Sequence, residues 1–496
     1  MMEGTYFFGE HLRWNLGWSN PNQAGAFVAT LIPWLWGMEA LIPRHQRGCQ
    51  VFRGAVFAVE LGLWFLLCKT YSRGAWVAMM PAILAACVWI GRSGSVKKAG
   101  GWLMMRIIGV GILTIATGFF ERIDPGYVVK DASAGNRLTL WEGGLRMIAE
   151  SPWQGWGADK SGREFMQWFQ PVDAHEAYAG MVNSYLHLGV ERGLLILWLI
   201  FTIGLGMVFL AFGNGLNNGT REDPASGNRL ASAVTLAAGA SWLVFAVANV
   251  FSTLWIFGNL WWVPAISGIS IIGVAAGKGV RGFFRKGIAA FGVAGGLGAA
   301  AVLALWLAGK AMPSKIRVHR MEGGKFVSLS ANRPTGATVL LLPDSTVLGE
   351  VWGKETRRFA EAFPDCRTIV PTGETEGYGG GVSFGGITPQ IIIACGKQAS
   401  GGISAWKRFP EARLILVHPL GKPDEMEERP NARVSVILPA LDTRNTGRVW
   451  KMFSRKHQWP WKTSPDVAQD IRPLWPGILK EEIDLSGNPV LRHEAP

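Results

Sequence analysis

The sequence has little charge for its length, and the deficit is uneven. Only 17% of its 496 residues are Asp, Glu, Lys or Arg, whereas a soluble protein has about 25%. Residues 1–309 contain 23 Lys and Arg and 16 Asp and Glu, and the shorter remainder contains 26 and 20. This distribution excludes a single soluble domain. We predict a membrane domain over residues 1–310 and a water-exposed domain over residues 311–496.

Cysteine is also scarce, and no metal-binding motif is present. The five cysteines include no Cys-x-x-Cys pair, so we predict neither a metal site nor a cofactor. Cys366 and Cys395 can pair only in an oxidising compartment, which their spacing does not establish. The net charge is +13, but many of the cations lie in short loops between apolar runs and no basic–aromatic motif accompanies them. We therefore predict no nucleic-acid partner.

The sequence does contain long apolar runs. A membrane-spanning helix needs ~20 mostly apolar residues. Eight segments approach that length, namely 26–43, 52–71, 75–91, 103–120, 193–212, 231–250, 255–276 and 288–309. The first contains Pro33 and Glu39, and the third is short. We predict a polytopic α-helical membrane protein of about eight spans, followed by a soluble α/β domain of three layers.

The basic residues between the spans predict their orientation. Thirteen Lys and Arg lie in alternate loops, namely 44–53, 92–106, 213–230 and 277–287. The two tight turns of the opposite set contain only Arg73. Because basic loops stay in the cytoplasm, we expect the long loop 121–192 and the C-terminal domain on the outer side. Residues 1–25 contain no signal peptide, which leads us to expect further spans upstream of a late or truncated start.

The turn Tyr71-Ser72-Arg73-Gly74-Ala75 joins two spans on that outer side. An Arg at the membrane boundary is costly to desolvate and tends to mark an ion or substrate path. An interfacial Arg that extends its side chain to water is a common alternative. Small neighbours such as Ser72 and Gly74 allow a ligand to approach the backbone closely. Arg73 is therefore a candidate catalytic residue, and Ser72 is a candidate substrate-binding residue.

Within the long loop, the apolar spacing predicts a helix over residues 137–149. Its apolar stripe is formed by Leu138, Trp141, Leu145 and Ile148. Arg137 and Trp141 are four residues apart and share one face. Pro152 ends the helix, and Gly155-Trp156-Gly157 follows as a helix-breaking segment. The alternative is an amphipathic helix that lies on the bilayer with Arg137 at its polar edge.

A third segment, Val182–Gly193, leads into the fifth predicted span. His187 and Glu191 are four residues apart, and such a pair can act as a general base and its orienting partner. The alternative is a solvated charged face. Two arginines with a His or carboxylate on one side of the membrane suit transfer from a pyrophosphate. Guanidinium groups bind phosphate oxygens in a bidentate fork and offset the charge of the leaving group.

These three segments, in this order, resemble the O-antigen ligase and polymerase superfamily of bacterial membrane glycosyltransferases. The shared pattern is a Ser-Arg-Gly turn, then an Arg-x3-Trp helix followed by Pro and Gly-x-Gly. An Asn-x-Tyr-Leu…Glu-x-Gly segment then begins at Asn183, and Asn20-Pro21-Asn22 also fits. The resemblance covers about residues 14–215.

The resemblance implies transfer of a glycan from undecaprenyl pyrophosphate to an acceptor hydroxyl on the periplasmic face of the inner membrane. Transfer would proceed with inversion and without metal. Two arginines of the family engage the pyrophosphate, and they correspond to Arg73 and Arg137. Trp141, Asn183 and Tyr185 belong to the shared segments and are candidates for substrate binding. The implied partners are the lipid-linked glycan, the bilayer, and lipid A–core or a growing polysaccharide as acceptor.

The sequence departs from the ligases at Val182, where they have His. His187 and His175 are near in sequence but do not match in register. This leaves open an O-antigen or exopolysaccharide polymerase, or Glu191 as the base. It also leaves open an inactive membrane scaffold whose second domain binds glycan or a partner protein.

The second domain alternates strands and helices in a pattern typical of an α/β fold. The predicted strands are 338–342, 368–370, 390–394, 413–417 and 434–438, and the predicted helices are 350–363 and 398–409. The layout is similar to an α/β-hydrolase, with Asp442 and His457 in an order that a catalytic triad allows. However, Gln398 lies where a nucleophile elbow requires Ser. We therefore predict a non-catalytic binding or docking domain.

Overall fold

The computed structural model describes most of the chain. The described residues are 6–8, 10–42, 47–93, 96–122, 132–171, 174, 176–218, 226–254, 262–276, 280–312, 316–321, 326–331, 334, 336–342, 349–371, 388–417, 419, 434–439 and 461–464. The chain forms two compact units. The first contains Met1–Ser161 and Ala179–Lys310, and the second contains Gly162–Tyr178 and Ala311–Pro496. Part of the long loop therefore folds with the C-terminal region.

The described part of the first unit is helical, apart from a hairpin of β1 (Tyr6–Phe8) and β2 (His11–Arg13). The helix α7 (Ser161–Trp168) begins at Ser161, which is the last residue of the first unit before the segment Gly162–Tyr178 of the second unit. The other helices are α1 (Pro21–Leu41), α2 (Arg47–Thr70), α3 (Arg73–Ser93), α4 (Val96–Ala116), α5 (Phe119–Arg122), α6 (Ala132–Glu150), α8 (Ser184–Arg192), α9 (Leu194–Asn218), α10 (Ser226–Phe251), α11 (Trp262–Ala276) and α12 (Val280–Ala311).

Seven helices among the described residues are long and apolar enough to cross a membrane. They are Pro21–Leu41, Gly48–Thr70, Arg73–Gly91, Ala99–Ala116, Leu194–Phe212, Leu230–Phe251 and Lys286–Ala311. Each corresponds to one of the eight predicted spans. The remaining candidate, 255–276, contains the shorter apolar helix Trp262–Val274, and its residues 255–261 lie outside the described part. The chain is thus a multi-pass helical membrane protein.

The helix α10 packs against α1, α3, α9 and α11. Small residues make these contacts close: a Cβ added to Gly37 would lie 2.7 Å from the Cβ of Ala237. Helices in lipid associate through such close packing, because lipid is as apolar as the side chains themselves. Ser241 donates a hydrogen bond to the carbonyl of Thr30 at 2.9 Å. This bond links α10 to α1, which includes Pro33 without ending.

A buried ion cluster joins α1, α2 and α4. Arg106 contacts Glu60 through Nε at 2.9 Å and Nη2 at 2.7 Å, and its Nη2 also lies 2.6 Å from Glu39. Arg53 donates to Glu39 at 2.9 Å. The ring centroid of Trp102 lies 4.0 Å from the Arg106 guanidinium carbon. The carboxylate of Glu39 is therefore compensated inside the first span. Arg53 and Arg106, assigned to loops from the sequence, lie in helices because α2 and α4 begin earlier than predicted.

The second unit is built on an eight-stranded sheet. Its strands are β3 (Arg317–Met321), β4 (Phe326–Ser330), β5 (Thr338–Leu342), β6 (Arg367–Pro371), β7 (Ile391–Cys395), β8 (Arg413–Val417), β9 (Val434–Pro439) and β10 (Trp461–Ser464). They lie in the order β10-β9-β8-β7-β5-β6-β4-β3. β4 is antiparallel to both neighbours, and the remaining pairs are parallel. The five predicted strands are present. The strands β3, β4 and β10 were not predicted from the sequence.

Both faces of the central strands are buried. Val339 and Leu340 point to opposite faces of β5, and both are fully buried. The helix α13 (Gly349–Ala362) packs against β4 and β6, and α14 (Ala399–Arg408) packs against β7 and β8. Continuous apolar strands with two covered faces are typical of the parallel sheet of an α/β protein.

The loop segment of the second unit packs on α13. Gly353 lies directly against Gln167, and Arg357 donates a hydrogen bond to the carbonyl of Gln170. A Cβ at position 353 would overlap the Gln167 backbone. The absence of a side chain at Gly353 therefore permits this contact.

Candidate functional site

The Ser-Arg-Gly turn is held rigidly between α2 and α3. Tyr71 adopts a left-handed conformation with φ of 51°, and its hydroxyl donates to the carbonyl of Thr117 at 2.5 Å. The backbone N–H of Ser72 donates to the hydroxyl of Thr70 at 3.3 Å, and Ser72 is 2% exposed. Arg73 is the first residue of α3 and is half-buried. The turn therefore presents Arg73 from a fixed backbone.

The start of α1 lies against this turn. A Cβ added to Gly25 would lie 2.7 Å from the Cβ of Ser72. Arg13 joins the two segments, since its Nη2 donates to Asn22 at 2.9 Å and its Nε donates to the carbonyl of Thr70 at 3.0 Å. The Asn-Pro-Asn segment therefore lies beside the Ser-Arg-Gly turn, and Asn20 caps α1.

The helix α6 confirms the helix predicted around Arg137 and Trp141, but its buried face differs from the predicted stripe. Leu138 is 64% exposed, whereas Leu140 is 1% exposed. The fully buried residues near its end are Met147 and Ile148. Arg137 and Trp141 are half-buried on the edge of this face.

Two glycines explain the shift of the buried face. A Cβ added to Gly144 of α6 would lie 3.1 Å from the Sδ of Met181, and one added to Gly189 of α8 would lie 2.8 Å from Ile148. These glycines allow α6 and α8 to approach closely. The apolar spacing alone did not indicate this contact, because glycine contributes no hydrophobic signal.

The Gly-Trp-Gly segment pairs with the end of α8. Trp156 donates to the carbonyl of Val190 at 2.7 Å, and Gly157 donates to the carbonyl of Glu191 at 3.2 Å. Gly155 has φ of +66°, and a Cβ there would lie 2.5 Å from the Glu191 backbone. Only glycine meets both requirements at position 155. The segment 155–157, predicted from the sequence to break the helix, thus also forms backbone hydrogen bonds with the end of α8.

The start of α8 is capped by Asn183. Its side-chain oxygen accepts from the N–H groups of Tyr185 at 2.9 Å and Leu186 at 3.1 Å. The preceding residue, Val182, has φ of +50°, which is strongly disfavoured for a β-branched side chain and costs on the order of 1–3 kcal/mol. The position at which the sequence departs from the ligases is therefore a strained one.

His187 and Glu191 are buried rather than solvated. His187 is 1% exposed and Glu191 is 6% exposed. The Nε2 of His187 lies 3.0 Å from the Glu191 carboxylate, and its Nδ1 lies 3.2 Å from the hydroxyl of Ser161. The Glu191 carboxylate also accepts from the backbone N–H groups of Asp159 at 3.0 Å and Ser161 at 3.2 Å. The solvated charged face weighed from the sequence is therefore wrong.

The surroundings of Glu191 stabilise its charged form. Burial by itself would raise the pKa of Glu191, but the hydrogen bond and charge of His187, the backbone N–H of Asp159 and the side chain of Ser161 lower the pKa to about 2. A carboxylate with so low a pKa is a weak proton acceptor at neutral pH. The geometry favours a positioning role for this pair, which anchors the segment 155–161 on α8.

The last turn of α10 brings the three predicted segments together. A Cβ added to Gly74 would lie 2.6 Å from the Cβ of Phe251. The rings of Phe251 and Trp141 are 6.4 Å apart. Phe251 therefore lies between the residue that follows Arg73 and the residue one turn beyond Arg137. Phe251 was not predicted from the sequence, because an aromatic residue at the end of a span carries no specific signal.

The same turn of α10 also binds α8. Ser184 donates to the side chain of Asn249 at 2.5 Å, and Tyr185 donates to the carbonyl of Ala246 at 2.8 Å. Asn249 was missed as well, although a polar amide inside an apolar span is itself a signal. In the ranges that the structure covers, no group of three His, Cys, Asp or Glu is placed to hold a metal ion.

The fold and site define a multi-pass membrane protein with buried polar segments gathered at one end of its helices. Residues 58–201 match the family model described as O-antigen ligase. This stretch contains the Ser-Arg-Gly turn, α6 and α8, so the match supports the predicted resemblance to the O-antigen ligase and polymerase superfamily over these residues. The match supports a membrane glycosyltransferase-like role. Comparisons with curated proteins and with solved structures gave no match.

Proposed function

We propose that the protein transfers a glycan from undecaprenyl pyrophosphate to an acceptor hydroxyl on the periplasmic face of a bacterial inner membrane. The observation that supports this most directly is the meeting of three motif segments at the end of α10. Phe251 contacts both Gly74 and Trp141, and Asn249 accepts from Ser184. Segments far apart in the chain thereby share one location, as a two-substrate reaction requires.

In this proposal Arg73 and Arg137 bind the pyrophosphate. The bond between the anomeric carbon and the pyrophosphate oxygen breaks, the acceptor oxygen bonds to that carbon from the opposite side, and the acceptor proton passes to a phosphate oxygen of the leaving group. Undecaprenyl pyrophosphate leaves with its charge balanced by the two guanidinium groups. Fixed cations of this kind supply the compensation that a metal ion gives in other phosphate chemistry.

The other predicted residues support this chemistry in two ways. Ser72 precedes Arg73 in the chain, and Trp141 lies one turn after Arg137 on α6. Both residues remain our candidates for substrate contact. The side-chain oxygens of Asn183 and Tyr185 are used by the α8 cap and by α10. We therefore assign Asn183 and Tyr185, with His187 and Glu191, to holding the shape of the site.

The topology of the long loop supports a periplasmic C-terminal domain. Gly162–Tyr178 belong to the same compact unit as the residues after Lys310. A segment between two spans can join that unit only if both lie on one side of the membrane. In this proposal the basic loops face the cytoplasm.

We further propose that the C-terminal domain is a three-layer, α/β-hydrolase-like binding domain without hydrolase activity. The turn Gly396–Gln398 follows the central strand β7 and leads into α14, which is the position of a nucleophile elbow. Gln398 is 6% exposed there, and a Gln amide cannot attack as a Ser hydroxyl does. Asp442 and His457 lie outside the described residues.

Transfer by the purified full chain in proteoliposomes tests the main proposal, with a polyprenyl-pyrophosphate glycan as donor. We expect Arg73→Ala and Arg137→Ala each to lower the rate by about 100-fold or more, as loss of a transition-state charge contact does. Arg146→Ala is the matched control, because Arg146 lies on the same helix as Arg137 and pairs with Glu142 at 2.5 Å. Activity that survives both arginine substitutions would contradict the proposal.

The second candidate is a polymerase, and the residue type at position 182 favours it. Ligases have His at this position, whereas Val182 is apolar and strained. Presenting two acceptors, lipid A–core and a lipid-linked repeat unit, separates the two functions. Transfer to lipid A–core alone indicates a ligase, and elongation of the repeat unit indicates a polymerase. An inactive scaffold would transfer to neither acceptor.

A further inference from the structure

A buried hydrogen-bond pair joins the first residue of α8 to the last turn of α10. The Oγ of Ser184 donates to the Oδ1 of Asn249 at 2.5 Å and lies 3.1 Å from the carbonyl of Ser252. The N–H of Leu254 donates back to the same Oγ at 3.0 Å. Ser184 and Asn249 are both fully buried.

Both polar groups of the Asn249 side-chain amide form hydrogen bonds. Its Nδ2 donates to the carbonyl of Phe245 at 2.8 Å, and its Oδ1 accepts from Ser184. A primary amide is expensive in an apolar span unless its groups are paired. Pairing both groups orients Asn249 in a single way. The amide can therefore hold α8 in one register relative to α10.

We propose that Asn249 is a positioning residue for the transfer reaction, acting through Ser184 on the start of α8. This inference rests on the proposed function. Asn249 lies outside the matched residues 58–201, and the turn that contains it also contains Phe251, which touches Gly74 and Trp141. The pair thus sets the place of α8 relative to the segments that carry the two arginines.

Hydrogen–deuterium exchange of the full chain in proteoliposomes tests the positioning itself, without need for a substrate. We expect Asn249→Ala to speed exchange of the amides at residues 184–187 by about ten-fold, because the first turn of α8 loses its anchor. Asn249→Asp, protonated in this buried place, keeps the acceptor for Ser184 and should restore most of the protection. Ser241→Ala is the matched control, since Ser241 is a buried hydroxyl of α10 that bonds Thr30 instead.

Kinetics then test the consequence for transfer. Asn249→Ala should lower kcat by about ten-fold and leave the donor KM within about two-fold, because the arginines still bind the pyrophosphate while α8 is misplaced. Asn249→Asp should recover activity, and Ser241→Ala should match the wild type. Unchanged exchange in Asn249→Ala, or an equal loss in Ser241→Ala, would overturn the inference. If the arginine variants keep full transfer while the exchange result holds, the proposed function fails and the positioning contact stands.

Discussion

Two buried clusters of polar side chains in the first unit differ in how their charges are arranged. The ion cluster of α1, α2 and α4 is closed, because each carboxylate, Glu39 and Glu60, contacts Arg106 directly. The network around α8 consists mainly of backbone N–H groups, Ser, Asn and the His187–Glu191 pair. Arg73 and Arg137, which lie on the segments that Phe251 brings next to this network, are half-buried.

This difference separates a structural group from a candidate site. A cluster whose charges are mutually balanced within the membrane stabilises the packing of helices and has little capacity for a further charged ligand. A network built from neutral donors and one ion pair fixes backbone segments and leaves the arginines at the edge of the site. The physical contrast therefore supports catalysis near α8 and stability near α4.

The largest expected effect comes from breaking the closed cluster. Arg106→Ala leaves the carboxylates of Glu39 and Glu60 buried without their shared cation, which should cost about 3–5 kcal/mol of unfolding free energy. Thermal unfolding in detergent measures this loss. Arg53→Ala is the control, since the side chain of Arg53 is 27% exposed and a more exposed pair contributes less than about 1 kcal/mol. Equal losses would mean that the cluster is not closed around Arg106.

The next prediction concerns the close backbone contact between Gly155 and Glu191. Gly155→Ala places a Cβ against the Glu191 backbone at a positive φ, which should cost about 3 kcal/mol and abolish transfer. Gly157→Ala is the matched control. Its φ is also positive, but the nearest atom is the flexible Lys160 side chain at 3.3 Å, so we expect about 1 kcal/mol. Full transfer by Gly155→Ala would show that the segment need not lie on α8.

The smallest effect is pH-dependent and concerns Glu191. Its pKa is lowered from 4.5 to about 2 in the folded state, so the unfolded chain binds the proton more tightly. The stabilisation is present above about pH 4.5 and is lost as the pH falls towards 2, and about 2 kcal/mol of it is lost by pH 3. Unfolding of the wild type and of Glu191→Gln between pH 6 and 3 measures it. A parallel decline in both proteins would exclude Glu191 as the source.

Local patterns predicted the elements well and the contacts poorly. Seven spans, the helix around Trp141 and five strands followed from apolar runs and periodicity, which depend on neighbours in the chain. The buried face of α6 was predicted wrongly because Gly144 and Gly189 determine it, and glycine has no hydrophobic signal. The edge strand β3 was missed because Arg317, His319 and Arg320 interrupt the apolar pattern expected of a strand.

The sequence by itself determined the membrane character of the chain, the order of its spans, the α/β pattern of the second unit and the three motif segments. Each of these depends on composition, spacing or residue identity along the chain. Only the tertiary structure decided that the segments meet at Asn249 and Phe251, that His187 and Glu191 are buried, and that Gly162–Tyr178 fold with the C-terminal region. Those outcomes depend on which helix ends come together in space, and close packing through glycines and buried hydrogen bonds sets that arrangement.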